Sequence, residues 1–275
     1  MKDLLQTYKQ LGWIVILLSL VMLQGVAKSA RITTVLPGAW CSQSTAYALS
    51  AAQRKTLQTR LRRITGWTQL SFAENGKLEI GDFTAIEGGA RSARKVLLQA
   101  LRSGQRFVLE NHSSSAFVNF GQLDEGTNYT DDRTGLALEI YRVRLDFADF
   151  DKMSAAPAVR ESFDEGFTFL HELLHGFGLK DTHIPNEIGE CETVVNLMRA
   201  ELGLPLRDQY LADLLRLTPL AKIIRLRFKA QTLDTQGTRR WKTHHLFFMP
   251  DFAAPQSPSA SSSSAAAPTA CLSLY

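Results

Sequence analysis

His171, Glu172 and His175 stand in the stretch FLHELLHGFGLKD, which ends at Asp181. On an α-helix, residues four apart lie one turn apart on the same face. Two imidazoles so placed can reach one zinc ion at about 2.0–2.1 Å each. Glu172 lies one residue further round, where its carboxylate meets a water on the ion rather than the ion itself. With six histidines in 275 residues, a chance H-E-x-x-H is expected in on the order of one such chain in a hundred. The bland alternative is a satisfied pair of core histidines. Phe167, Phe169, Leu170, Leu173, Leu174 and Phe177 make the segment strongly apolar. The three polar residues must therefore find interior partners or carry a desolvation cost of a few kcal/mol. A metal ion and its water would be such partners.

The segment also carries its own boundary signals. Ser162 and Glu165 have the spacing of a capping box, and Asp164 adds acid to the first turn. Gly176 and Gly178 offer the chain a way out of the helix.

HELLHGFGLKD resembles the zincin metallopeptidases. It is nearest the metzincin-type pattern H-E-x-x-H-x-x-G-x-x-(H/D), with His171, Glu172, His175, Gly178 and Asp181 on the five defined positions. Aspartate in the last position is similar to small secreted bacterial proteases of the snapalysin kind. The resemblance implies that Gly178 turns the chain sharply and that Asp181 becomes the third ligand, and a carboxylate suits zinc. His183, two residues on, is an alternative. Glu187, Glu190 and Glu192 offer another, in which a glutamate on a second helix completes the site as in thermolysin-like zincins.

A second resemblance lies downstream. VNLMRAELGLPLRDQY (Val195–Tyr210) is similar to a segment that follows H-E-x-x-H in zincin-type bacterial effector and toxin peptidases, through Asn196, Arg199, Glu201, Gly203, Pro205, Arg207 and Tyr210. It reads as a short helix ended by Gly203 and Pro205. Metzincins have a tight methionine turn here, whereas Met198 falls in a helical run and reads as core. Tyr210 is either an oxyanion-stabilising phenol or an ordinary half-buried tyrosine. Arg199 and Arg207 read as partners of Glu201 or as anchors for a substrate carboxylate.

Three protein ligands leave one position on zinc for water, whose pKa falls to near 7 while the substrate carbonyl is polarised. Glu172 then acts as general base and returns the proton to the leaving amine. The expected function is an exported zinc metalloendopeptidase acting on a protein or peptide substrate. A non-catalytic structural zinc protein and a secreted effector or toxin peptidase are the alternatives. EIYRVRLDF (Glu139–Phe147) is the strand expected to bind an extended substrate along a sheet edge.

Composition bounds the rest. The chain is 45% hydrophobic and 21% charged, with a net charge of +4 and a pI near 9.0. No Lys/Arg block is long enough for a nucleic-acid arm. LQTRLRRITGW (Leu57–Trp67) reads as the solvated face of a helix. At the N-terminus two lysines precede an uncharged run, LGWIVILLSLVMLQGVA, and then KSA. This is the order of a secretory signal over residues 1–29, and the same run is about as long as a short membrane span. The expected location is secreted or periplasmic, or anchored at the inner membrane if the segment is retained. Cys41, Cys191 and Cys271 allow a Cys41–Cys191 bridge or three free thiols. Residues 251–275 are Ser/Ala/Pro-rich and expected to be disordered.

Between these ends, residues 30–250 read as one catalytic domain, with a possible subdomain over 30–105. Helical periodicity covers Ser50–Gly66 and Ser92–Gln105. Strand-like runs cover Arg106–Asn111, Ser115–Gln122 and Leu136–Phe147, with turn material DEGTNYTDDRTG before the last. The expected fold class is α+β, a zincin-like domain with a mixed sheet and an active-site helix.

Overall fold

A computed structural model describes residues 47–249, apart from 75, 104, 114–119, 131–136, 217–221 and 234. The signal-like segment 1–29, Cys41, Cys271 and the tail 251–275 lie outside the described residues. Among the described residues no helix is long and apolar enough to cross a membrane.

Helix α1 (Ala51–Thr65) starts where expected. Ser50 and Gln53 form a reciprocal capping box, and Gly66 closes the helix in a left-handed conformation. Its buried apolar side chains are Leu57, Leu61 and Ile64. The basic stretch on α1 is not simply a solvated face. Arg62 donates to the Leu70 carbonyl, and Arg60 and Arg63 reach acids of a later helix. Strands β1 (Leu70–Phe72) and β2 (Leu78–Ile80) form an antiparallel pair, and α2 (Arg91–Arg102) follows.

Strands β3 (Arg106–Asn111), β4 (Gly121–Thr130) and β5 (Ala137–Leu145) form a mixed sheet in the order β3-β5-β4. β3 runs parallel to β5, and β4 antiparallel to it. Of the strand expected over Ser115–Gln122, residues 115–119 lie outside the described residues; β4 includes Gly121 and Gln122 and takes in most of the supposed turn. A register shift between Asp124 and Thr127 accommodates that sequence, because a bulge lets Gly- and Asp-rich chain stay paired.

Next come α3 (Phe147–Asp151), β6 (Met153–Ala155), α4 (Pro157–Ser162), α5 (Glu165–Gly176) and α6 (Glu190–Glu201). β7 (Leu206–Arg207), β8 (Asp213–Arg216), β9 (Lys222–Leu233) and β10 (Arg239–Phe248) complete the described chain. A second, antiparallel sheet runs β6-β10-β9-β7, with β8 also paired to β9. The fold is therefore α+β with one mixed and one antiparallel main sheet.

Two apolar clusters result. The larger joins α1, α2, α5 and α6 to the mixed sheet, through Leu61, Leu97, Phe107, Val143, Leu170 and Met198 among others. The smaller lies on the second sheet around Phe120, Phe163, Phe228 and Phe248.

Candidate metal centre

Helix α5 carries the site. Its N-cap is Asp164, whose carboxylate accepts from the amides of Gly166 and Phe167. Ser162 closes α4 instead, its hydroxyl donating to the Ala158 carbonyl, and Glu165 pairs with Arg60. The capping box expected from Ser162 and Glu165 is thus not formed. An ionised acceptor at the positive end of a helix outcompetes a neutral hydroxyl two residues earlier. Phe167, Phe169, Leu170 and Leu173 are all buried, as a helix apolar on every side must be. At the other end Gly178 has φ +84°, a conformation that other residues adopt only with strain. The Leu179 amide bonds back to the Leu174 carbonyl, which closes the helix in the manner of a Schellman turn.

This turn brings Asp181 back over the helix. His171 Nε2 lies 3.3 Å from Asp181 Oδ1, and His175 Nε2 lies 3.0 Å from Oδ2. The opposite ring nitrogens face oxygen acceptors. His171 Nδ1 is 3.4 Å from Glu192 Oε2, and His175 Nδ1 is 3.1 Å from the Leu179 carbonyl. Metal-bound histidines are oriented in this way: Nδ1–H donates outward and leaves Nε2 to ligate. Tyr210 donates its hydroxyl to Asp181 Oδ2, and its ring stacks on that of His171 at 6.0 Å. Tyr210 is buried rather than half-buried. His171 and Glu172 are buried too, while the side chains of His175 and Asp181 keep 21% and 16% exposure, so the cluster opens to solvent on their side.

The other candidate ligands face elsewhere. His183 and Glu187 are exposed, and Glu187 accepts from Thr182 Oγ1. Glu190 accepts from the Lys180 amide. Glu192 sits behind His171, held by Arg199 and Arg207. Those two arginines were expected to pair with Glu201 or to anchor a substrate carboxylate; they pair with Glu192, and Glu201 accepts from the Ser92 amide on α2. Met198 is buried in the core, and α6 ends before Gly203, which takes a positive φ of 68°.

Electrostatics follow from this crowding. Burial alone would raise the Glu192 carboxyl, but the guanidinium groups of Arg199 and Arg207 outweigh it and hold the pKa well below the usual range. Asp181 is likewise held low, because hydrogen bonds from His171, His175 and Tyr210 outweigh its burial. For His171 burial works downward, yet hydrogen bonds to Asp181 and Glu192 push its pKa up to about 10. His175 is raised for the same kind of reason, through Asp181 and Glu172. Three carboxylates (Glu172, Asp181 and Glu192) against two guanidinium groups leave a negative excess. Without a cation, that excess draws protons onto the imidazoles.

Cys191 is a free, buried thiol. Its Sγ lies 3.5 Å from His175 Nδ1, on the ring edge turned away from Asp181. Burial raises its pKa, and the surrounding carboxylates raise it further, so the group stays a protonated thiol. Ligand atoms of His171, His175, Asp181 and Cys191 all lie within 4.8 Å of one another. This cluster could bind a metal ion.

Glu172 is enclosed by β4. A Cβ added to Gly121 would stand 2.5 Å from Thr168 Cγ2 and 3.1 Å from Glu172 Oε1, so glycine makes room for both side chains. β5, expected to offer a free edge, is paired on both sides, by β3 and β4. Among the described strands the edge beside Glu172 belongs to β4.

Comparison with protein-family models, curated proteins and solved structures found no match to this chain. Sequence reasoning missed the clamp on Glu192. One signal was available, since Glu192, Asn196 and Arg199 fall at i, i+4 and i+7, on one face of α6.

Proposed function

We propose that this chain is a zinc-dependent hydrolase of peptide bonds with a zincin-like catalytic domain, in which His171, His175 and Asp181 hold the ion. One observation carries the reading. Two Nε2 atoms and a carboxylate converge, with each imidazole braced at Nδ1 and a buried glutamate adjoining on the same helix. Two nitrogens and a carboxylate oxygen are a donor set that suits zinc and leaves a coordination position open. When bound, the ion would acidify a water and polarise the substrate carbonyl.

The chain's own groups have separate tasks in this scheme. Glu172 accepts the proton of the attacking water and passes it to the departing amine. Gly121 leaves the space in which that carboxylate sits. The outer edge of β4 presents backbone donors and acceptors to an extended peptide. Export fits the signal-like N-terminal sequence.

A second reading, a structural ion with four protein ligands, is favoured by the closeness of the Cys191 sulfur to the other three groups. The position of Sγ on the Nδ1 side of His175 weighs against it. Two variants separate the readings. Glu172→Gln is expected to retain stoichiometric zinc and lose casein hydrolysis by about 10²–10⁴-fold. Cys191→Ser is expected to keep both. Hydrolysis unchanged in the first variant removes Glu172 from its role. Loss of zinc in the second makes the site structural.

A further inference from the structure

Arg207 lies outside the ligand shell, but its guanidinium reaches residues behind two of the three ligands. Nη1 is 3.4 Å from Glu192 Oε2, and Glu192 Oε2 in turn faces His171 Nδ1 at 3.4 Å. Nη2 donates to the Tyr210 carbonyl at 2.6 Å, and the guanidinium lies over the Tyr210 ring, 5.1 Å from its centroid. The Tyr210 hydroxyl is the donor to Asp181 Oδ2. The third nitrogen, Nε, donates to the Gln209 carbonyl.

Arg207 is itself fixed. Its amide donates to Asn196 Oδ1 at 2.8 Å, and its carbonyl accepts from Asn196 Nδ2 at 2.9 Å. These bonds lock β7 onto α6. The side chain is 2% exposed, so its charge must be answered by fixed partners.

We infer that Arg207 is a positioning residue that sets two metal ligands at once, His171 through Glu192 and Asp181 through Tyr210. This deepens the metal-site reading and rests on it. A planar guanidinium suits the task, because its donors point in fixed, divergent directions. Lysine offers one point charge and could serve one branch only. The inference also accounts for the chemistry of the 195–210 segment. Asn196, Arg207 and Tyr210 form the brace, and Arg199 holds the other oxygen of Glu192.

The test measures zinc affinity by chelator competition on the full chain, at a temperature where circular dichroism shows each variant folded. Outer-shell partners of metal ligands are typically worth about 10–100-fold in affinity. Glu192→Gln and Tyr210→Phe should each weaken binding by about tenfold, and Arg207→Met by about the product of the two. In the Arg207→Met background, either further change should add less than about twofold. The cobalt-loaded protein should show a shifted visible spectrum in Arg207→Met, which a change in stability alone would not produce. Folded Arg207→Met with affinity within about twofold of wild type and an unshifted spectrum overturns the inference. So does an affinity loss matched by Glu192→Gln alone, with Tyr210→Phe silent. If Arg207→Met does not fold, Arg207→Lys decides: about tenfold weaker binding supports the two-branch role, and wild-type affinity overturns it. Wild-type protein that takes up no stoichiometric zinc would instead refute the metal reading itself, and this inference with it.

Discussion

Two clusters against α5 both hold buried carboxylates against arginines, yet they are built to opposite effect. At the N-terminal end Asp164 accepts from two backbone amides and from Arg63 Nη2 at 2.6 Å. Glu165 pairs with Arg60 at 3.2 Å. Arg60 and Arg63 keep 40% and 31% exposure, so solvent completes the neutralisation. That cluster is a helix cap. Against the middle of the same helix Glu192, Arg199 and Arg207 are almost wholly enclosed. Beyond them His171, His175 and Asp181 turn their ligand atoms on one another. The first cluster meets its own charge with arginines and solvent, whereas the second meets it only by drawing protons onto His171 and His175, which a cation would replace. An arginine–carboxylate cluster on a helix is therefore no evidence of a site by itself. The distinction lies in whether acceptors are left converging.

The sharpest way to break this contrast is Asp181→Ala. It should weaken zinc binding by more than the ~100-fold upper end seen for outer-shell partners. Asp164→Ala should leave zinc affinity within about twofold, and equal losses from both would erase the difference between the two clusters.

Acidity sharpens the contrast next. His171 in the metal-free fold has its pKa pushed up to about 10, and that of His175 is also raised. At neutral pH the ion must therefore displace protons, and zinc affinity should rise with pH. The expected slope is about tenfold per pH unit for each proton released, from about pH 6 to about pH 8. Proton release on titrating zinc into weakly buffered protein gives the count. A flat affinity over that range would show that the imidazoles were already neutral.

The smallest effect belongs to the cap. Asp164→Ala removes the acceptor for two amides and should lower unfolding free energy by about 1 kcal/mol, within a range of about 0.5–2. Denaturant midpoints of the zinc-free chain would report it.

Much of the helical framework was legible. Ser50, Gln53 and Gly66 mark α1 through contacts that span one turn, and such contacts are local by nature. β3 followed from a short run with Phe107, Val108 and Leu109 at its centre. The reach of β4 into the expected turn was missed because pairing with β5 imposed extension on Gly, Asp and Asn residues that prefer turns. The second sheet was not foreseen, since β9 and β10 carry arginine and lysine through much of their length. Only pairing with each other, and the packing of Ile224, Leu226, Phe228, Leu246 and Phe248 on one face, makes them strands.

For the site, the spacing of His171, Glu172 and His175 was set by helical periodicity, which requires nothing beyond neighbouring residues. Which acid would face the two imidazoles could not be decided that way. Asp181, His183, Glu187, Glu190 and Glu192 are all close enough in the chain. Their directions depend on the turn at Gly178, on α6 docking beside α5, and on two arginines that hold Glu192 behind His171. Those are long-range packing choices, settled only when the core closes, and they place Asp181 before both Nε2 atoms.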